Sequence, residues 1–123
     1  MSILFVSGDL MFGSQLSHLA GRAGVTLQSV ASLAMAREKI AAQMPSRVLI
    51  DLGAVKSAVA ETVQELRRLA PAATIIAFGP HVQDTLLGQA REAGCDLVLT
   101  RGQFQSQMGA LVSAAAAGGK ETG

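Results

Sequence analysis

The residues best placed to do chemistry are the ones that directly follow predicted strands. Ligands of open parallel sheets bind outside the carboxyl ends of the strands. The residues found there are Ser7, Gly8, Asp9, Asp51, Gly79, Pro80, His81, Thr100 and Arg101. Their hydroxyl, carboxylate, imidazole and guanidinium groups could ring a small-molecule pocket. A convergent acid, base and nucleophile set is not evident, so we expect no enzyme.

Five short apolar runs predict the strands that position these residues, at 3–6, 25–30, 47–51, 74–78 and 96–100. Four of them are nearly continuous hydrophobics, which is typical of parallel strands buried on both faces, whereas the second alternates like an edge strand. Helical spacing lies between the runs, for example at Val59, Val63 and Leu66, and it includes Met44 and Val82 in the second and fourth helices. The alternation predicts one doubly wound, three-layer α/β domain.

The composition supports one globular domain over residues 1–117, followed by a flexible tail at 118–123. Of the 123 residues, 50% are hydrophobic and 15% are charged, against a typical charged share of about 25%. The net charge is +1 and aromatics make up 3%, so we expect no nucleic-acid partner. One cysteine, no signal peptide and no apolar run long enough to span a membrane favour a cytoplasmic protein without a membrane partner.

Two segments and the order of the predicted elements resemble those of a bacterial response-regulator receiver domain of the chemotaxis type. The segments are Val48-Leu49-Ile50-Asp51-Leu52-Gly53 and Ala93-Gly94-Cys95-Asp96-Leu97-Val98-Leu99-Thr100-Arg101. The intervals between positions 8, 51, 79 and 101 match the family's usual ones without gaps. The resemblance implies a flavodoxin-like fold with five crossover helices and a five-stranded parallel sheet in the order 2-1-3-4-5.

The resemblance also implies a phosphorylation site, of which this sequence keeps only the acceptor-equivalent Asp51. Ser7 and Gly8 stand where the family has a pair of acids that hold magnesium. Gly79 replaces the hydroxyl residue that contacts the phosphoryl group, and Arg101 replaces the lysine that pairs with it. Val98 stands at the position of the family's switch aromatic. These departures indicate a degenerate, atypical receiver.

We expect the absence of these residues to abolish the Mg²⁺-dependent phosphorylation that the resemblance implies. Magnesium prefers carboxylate and other oxygen ligands, so we expect no cofactor, with Asp9 and Asp51 as weak candidate ligands for Mg²⁺. A site without its metal and hydroxyl lacks most of the charge stabilisation that phosphoryl transfer needs. We expect Asp51 to accept loop N–H groups or to be clamped by Arg101, which would hold one permanent conformation.

The sequence therefore predicts a stand-alone pseudo-receiver that signals by binding another signalling protein or a second copy of itself. The family's usual surface for such contacts is the fourth helix, fifth strand and fifth helix. One alternative is a genuine response regulator that a histidine kinase phosphorylates on Asp51 with weak Mg²⁺. The other is a flavodoxin-like binder of a small ligand. We interpret His81 as an exposed residue of the fourth helix's first turn and Cys95 as a packing residue.

Overall fold

Five β/α units make up the protein in a computed structural model, which describes residues 1–82 and 84–116. The elements are β1 (Ser2–Val6), α1 (Leu10–Ala23), β2 (Thr26–Val30), α2 (Leu33–Ala42), β3 (Arg47–Asp51), a 3-10 turn (Leu52–Ala54), α3 (Val59–Leu69), β4 (Thr74–Gly79), α4 (Asp84–Ala93), β5 (Leu97–Thr100) and α5 (Arg101–Ala116). All five strands predicted from the sequence are present, with ends shifted by one residue or less.

The strands form one parallel sheet in the order β2-β1-β3-β4-β5, which confirms the predicted topology. The β1 strand lies between β2 and β3, so the strand order reverses beside it. Ligands of doubly wound sheets bind at this kind of switch point. The register pairs Asp51 at the end of β3 with Phe78 of β4, and Gly79 with Thr100 of β5. These pairings bring the predicted site residues of three strands to one edge of the sheet.

Two hydrophobic cores cover the two faces of the sheet because side chains alternate along each strand. Leu4 and Val6 of β1 join the core beneath α2, α3 and α4. Ile3 and Phe5 join the core beneath α1 and α5, which also holds the other three phenylalanines of the chain. The Phe78 and Phe104 rings stack with their centroids 4.0 Å apart, and this pair joins β4 to α5. The core under α1 and α5 therefore combines aliphatic side chains with all four phenylalanines of the chain.

Two apolar residues that the helical pattern included are exposed in the structure. Met44 is 58% exposed because α2 ends at Ala42, and Pro45 disfavours helical geometry at the residue before it. Val82 is 77% exposed because α4 begins only at Asp84, whose acidic side chain suits the first turn of a helix. The predicted tail at 118–123 and the domain's last residue, Ala117, lie outside the described residues.

Among the described residues, no helix is long and apolar enough to cross a membrane.

Candidate functional site

Asp51 lies buried at the carboxyl end of β3, with 8% of its surface exposed. Its Oδ1 atom accepts a hydrogen bond of 3.0 Å from the backbone N–H of Gly53, which caps the 3-10 turn. Its Oδ2 atom accepts a hydrogen bond of 2.7 Å from the Ser7 hydroxyl at the end of β1. The expectation that Asp51 binds a loop N–H is confirmed, and both of its oxygens are engaged.

Asp9 faces α1 and α5 instead of turning toward Asp51. It is the N-cap of α1, where its Oδ1 atom accepts the backbone N–H of Phe12 at 2.9 Å. Its Oδ2 atom accepts a hydrogen bond of 2.6 Å from the Arg101 guanidinium. The Phe12 N–H and the Arg101 guanidinium together lower the pKa of the Asp9 carboxyl from its ordinary value. Asp9 is thus a capping residue whose two oxygens are both occupied.

The expected clamp between Arg101 and Asp51 is wrong, because Arg101 pairs with Asp9. Arg101 is the first residue of α5, and its guanidinium carbon lies 4.6 Å from the centre of the Phe12 ring. The aromatic face and the Asp9 carboxylate together hold the cation over the α1 side of the sheet. The start of α5 is also set locally. The backbone N–H of Thr100 donates to Gln103 Oε1, and the N–H of Gln103 donates to Thr100 Oγ1.

The two glycines at family site positions leave space that side chains could occupy. A Cβ atom added at Gly8 would meet nothing within 4 Å. At buried Gly79 it would lie 3.4 Å from Leu52 Cβ and 3.6 Å from Leu87 Cδ2, which are ordinary packing contacts. Neither glycine is required by its backbone conformation, since neither has a positive φ angle. Neither the backbone conformation nor the space for a Cβ atom therefore requires glycine at these two positions.

The structure joins four of the predicted site residues in one chain of hydrogen bonds. Arg101 donates to Asp9, the Asp9 backbone N–H donates to Ser7 Oγ at 2.9 Å, and Ser7 Oγ donates to Asp51. The hydroxyl of Ser7 thus both accepts and donates. His81 is exposed in the loop before α4, so it precedes the helix instead of lying in its first turn as expected. It is not a member of this chain of hydrogen bonds. Four surface cavities of the described part of the chain are lined by residues other than these.

The donor set does not fit the magnesium site that the resemblance implies. Mg²⁺ requires near-octahedral oxygen ligands, usually including one or two carboxylates. At this end of the sheet the Asp9 oxygens are held by α1 and Arg101, and Gly8 has no side chain. Within residues 1–82 and 84–116, no group of three or more His, Cys, Asp or Glu could hold a metal ion. Asp51 would have to bind the ion without a second free carboxylate, with the Ser7 hydroxyl, backbone groups and water as the other oxygen ligands.

Cys95 lies partly buried in the turn before β5, away from this network. Burial, and after it the neighbouring Asp96 carboxylate, raise the pKa of the Cys95 thiol to about 11. The thiolate is the nucleophilic form of cysteine, so this environment opposes redox chemistry at neutral pH. The interpretation of Cys95 as a packing residue agrees with this environment.

Sequence reasoning missed the partners that organise the site. The sequence analysis places Ser7 at a metal-binding acid's position and in a small-molecule pocket, but does not predict that its hydroxyl donates to Asp51. The contact between the Phe12 ring and Arg101 joins residues far apart in the sequence and has no local sequence signal. The reciprocal cap of Thr100 and Gln103 had a sequence signal, since a threonine followed three residues later by glutamine is typical of a helix start.

Solved structures match this fold, while no protein family model and no curated protein matches the sequence. The receiver domain of the TMAO respiratory system response regulator TorR is 18% identical, with a TM-score of 0.81 over 97% of this chain and 98% of that one. A putative pilus assembly protein (cpaE) from Burkholderia thailandensis is 22% identical, with a TM-score of 0.70 over 95% and 98%. A putative pilus assembly-related protein from Burkholderia pseudomallei is 21% identical, with a TM-score of 0.71 over 100% and 94%. The chain has the receiver fold that its sequence predicts.

Proposed function

We propose that this protein is a non-enzymatic, receiver-fold interaction module that acts by binding another protein, without Mg²⁺-dependent phosphorylation of Asp51. The observation that carries the proposal is the 2.7 Å hydrogen bond from the Ser7 hydroxyl to Asp51 Oδ2. It places a donor on the carboxylate at the position where the family has a metal-binding acid. The receiver fold of the solved structures supports a role in signalling or assembly.

Three features oppose phosphoryl transfer to Asp51. The carboxylate is buried, and each of its oxygens accepts a hydrogen bond, from Ser7 or from Gly53, which lowers its nucleophilicity. The neighbouring acid, Asp9, has its two oxygens engaged by the Phe12 N–H and by Arg101. Arg101, the nearest match to the family's lysine, is paired with Asp9 and lies over Phe12. Phosphoryl transfer depends on positioning and charge stabilisation, and these contacts supply neither to an incoming phosphoryl group.

The same contacts favour one permanent conformation. Arg101 ties the start of α5 to the start of α1 through a carboxylate that also caps α1. A switch needs two arrangements of similar free energy, and a ligand that biases one of them. The proposed module therefore works as a fixed surface.

The test is an amide-resolved NMR titration of the folded protein with Mg²⁺, followed by Mg²⁺ with beryllofluoride as a phosphoryl mimic. We expect no shifts at Asp51, Gly79 or Arg101 at millimolar Mg²⁺, and no change in α5. Shifts at these residues that spread to α5 would overturn the proposal and favour the genuine phosphoacceptor. In that case incubation with acetyl phosphate should add one phosphoryl mass, which Asp51→Asn should abolish.

A gain-of-function variant is the positive control for a titration in which the natural chain shows no chemical-shift changes. The triple variant Ser7→Asp, Gly8→Asp and Gly79→Ser restores the family's residue types at three site positions. An added Cβ atom meets nothing within 4 Å at Gly8 and makes ordinary packing contacts at Gly79. It should show Mg²⁺-dependent shifts around Asp51 under conditions where the natural chain shows none. If the variant folds and responds while the natural chain does not, the missing side chains account for the loss.

A second candidate places the module in pilus assembly instead of two-component signalling. The solved putative pilus assembly protein and the solved putative pilus assembly-related protein are 22% and 21% identical to this chain over nearly its whole length, against 18% for the TorR receiver. Deletion of the gene in its host, with surface pili counted by electron microscopy, tests this candidate. If the deletion removes the pili and the Asp51→Asn gene restores them fully, the result supports a role in pilus assembly without phosphorylation. Unchanged pili in the deletion strain would exclude the candidate.

A further inference from the structure

The β2 strand forms one edge of the sheet, and within the described part of the chain no strand pairs with its outer side. In a parallel ladder the N–H and C=O groups of one residue point to the same side, and successive residues alternate between the two sides. The Thr26 N–H donates to the carbonyl of Met1, which directly precedes β1, so the even-numbered residues of β2 face β1. The backbone groups of Leu27 and Ser29 therefore point outward.

This edge lacks the features that protect sheet edges from pairing. Natural edge strands are usually blunted by charged side chains, proline, bulges or very short length. The segment 25–30 has no charged residue and no proline, and the five-residue register of β2 with β1 has no bulge. Thr26 and Ser29 are exposed, so a second strand can reach the edge. The opposite edge strand, β5, has only four residues and lies between Asp96 and Arg101.

The side of α1 beside the β2 edge is uncharged and mostly small. A Cβ atom added at Gly13 would lie 3.9 Å from Ser29 Oγ, which places this side of α1 over β2. Leu10 and Ser17 lie three residues before and four residues after Gly13, so they share its side of the helix. Ser17 is exposed and Leu10 is 87% exposed. An exposed leucine therefore lies beside an edge that no long α1 side chain covers at its centre.

The α2 helix places a second exposed apolar residue beside the edge. Arg37 is bonded to Glu65 of α3, so the side of α2 that carries Arg37 faces α3. Met35 lies about 200° from Arg37 around the helix axis, on the side that faces away from α3. It is 45% exposed. Lys39, one turn after Met35, can keep its ammonium group in water on its flexible stem.

The hydrogen-bonding geometry of the β2 edge is complementary to itself. A two-fold axis through Gln28, perpendicular to the sheet, would pair Leu27 of one copy with Ser29 of the other in antiparallel register. Each such pair exchanges two hydrogen bonds, so all the outward backbone groups of both residues would be used. Gln28 would lie opposite Gln28 of the second copy, at a position where like charges repel but neutral amides do not.

The same axis gives the exposed leucine a place on the second copy. Strands rise about 3.3 Å per residue and helices about 1.5 Å, so Gln28 is level with α1 about two residues past Gly13. Rotation about that level brings Leu10 to the level of Gly21 of the second copy, where an added Cβ would meet nothing within 4 Å. A single extended peptide would leave Leu10 and Met35 in water, whereas a second copy brings helices to both sides of the edge.

We propose that two copies of this protein pair through their β2 edges, in antiparallel register about Gln28, so that their two five-stranded sheets become one. The inference goes beyond the proposed function, because it gives the interaction module a dimeric form that presents each of its surfaces twice. The pairing surface is distinct from the one formed by α4, β5 and α5, which the family resemblance implied.

Charge variants at the two-fold axis test the pairing. Gln28→Lys and Gln28→Glu each place like charges opposite each other, so each variant alone should sediment as a monomer where the natural protein sediments as a dimer. An equimolar mixture of the two variants should restore the dimer, because the opposed charges then attract. Gln105→Lys and Gln105→Glu, at an exposed position of α5, are the matched controls, and each should remain a dimer alone. Circular dichroism checks that all four variants fold.

Hydrogen exchange tests the same pairing in the natural protein, without any substitution. The outward amide hydrogens of Leu27 and Ser29 should exchange about tenfold more slowly at a concentration that favours the dimer than at one that favours the monomer. The amide hydrogens of Thr26 and Gln28 face β1, so their exchange should not depend on concentration in this way.

Four results would overturn the inference. The first is a natural protein that stays monomeric up to about 1 mM. The second is a pair of folded Gln28 variants that do not dimerise when mixed. The third is a dimer that the Gln28 variants leave intact, and its dissociation by the Gln105 variants would move the pairing to α5. The fourth is exchange at Leu27 and Ser29 that does not change with concentration. A response of the natural chain to Mg²⁺ and beryllofluoride would refute the proposed function and leave the sedimentation results unaffected.

Discussion

Removal of the Ser7 hydroxyl should destabilise the protein far more than a typical serine substitution does. Ser7 and Asp51 are 6% and 8% exposed, so water cannot readily replace the bond that Ser7→Ala deletes. A hydrogen bond to a charged group contributes about 1.5–3 kcal/mol. The Asp9 backbone N–H also loses its acceptor. We expect the free energy of unfolding to fall by about 2 kcal/mol, at the centre of that range.

The loss should be visible in both thermal and chemical unfolding. For a domain of this size, 1 kcal/mol corresponds to about 4 °C, so the Ser7→Ala variant should melt about 8 °C below the natural protein. Urea unfolding followed by circular dichroism should show a lower midpoint with an unchanged slope, because the fold itself is retained. Ser57→Ala, at an exposed position in the turn before α3, is the matched control and should unfold within about 0.5 kcal/mol of the natural protein.

A double-mutant cycle separates the bond between Ser7 and Asp51 from other effects. Asp51→Ala removes the acceptor, so the Ser7→Ala change should cost less in that background than in the natural protein. We expect a coupling energy of about 1 kcal/mol or more between the two sites. A coupling energy near zero, or a Ser7→Ala variant as stable as the serine control, would refute the reasoning that this bond occupies Asp51.

Three further predictions concern the cap, the thiol and the glycine turns. Asp9→Ala should lower stability at pH 7 by about 1–2 kcal/mol, and Asp9→Asn by less, because asparagine still caps α1. Cys95 should react with a thiol reagent about 100-fold more slowly in the folded than in the unfolded protein, since its pKa rises from 9.0 to about 11. Gly24→Ala should destabilise, because Gly24 has a φ of 72°, whereas Gly21→Ala within α1 should stabilise by about 0.5–1 kcal/mol.

The sign of the Asp9 effect with pH follows from its lowered pKa. In the unfolded chain the Asp9 carboxyl has its ordinary pKa of 3.8. Its contribution to the free energy of unfolding is therefore present above pH 3.8 and is lost as the pH falls through the lower pKa of the folded protein. The stability difference between natural protein and Asp9→Ala should therefore shrink in acid urea melts below about pH 4. A stability difference that grows in acid would contradict the lowered pKa of Asp9. Equal rates of thiol modification in the folded and unfolded protein would contradict the raised pKa of Cys95.

The arrangement of the elements could be predicted because each one has a local signal. Nearly continuous apolar runs at 47–51 and 74–78 indicate strands buried on both faces, and the helical spacing between them requires crossovers on both sides of the sheet. Errors arose at helix ends. Met44 and Val82 continue the apolar spacing of α2 and α4, but the backbone leaves the helix before Pro45 and enters α4 only at Asp84. The periodicity of apolar residues alone does not predict the residue at which a helix begins or ends.

The sequence by itself determined the fold class, the strand-end positions of the site and which residues stand at the positions that the receiver resemblance assigns to it: Ser7, Gly8, Gly79 and Arg101 around Asp51. Tertiary structure decided which groups pair there. Arg101 is 92 residues from Asp9 and 50 from Asp51 along the chain, and spacing says nothing about which carboxylate it meets. The choice depends on the side chain's direction at the start of α5 and on the Phe12 ring beneath it. The predicted strand order already makes β1 and β3 neighbours, but that the Ser7 hydroxyl donates to Asp51 depends on side-chain directions that only the folded structure shows.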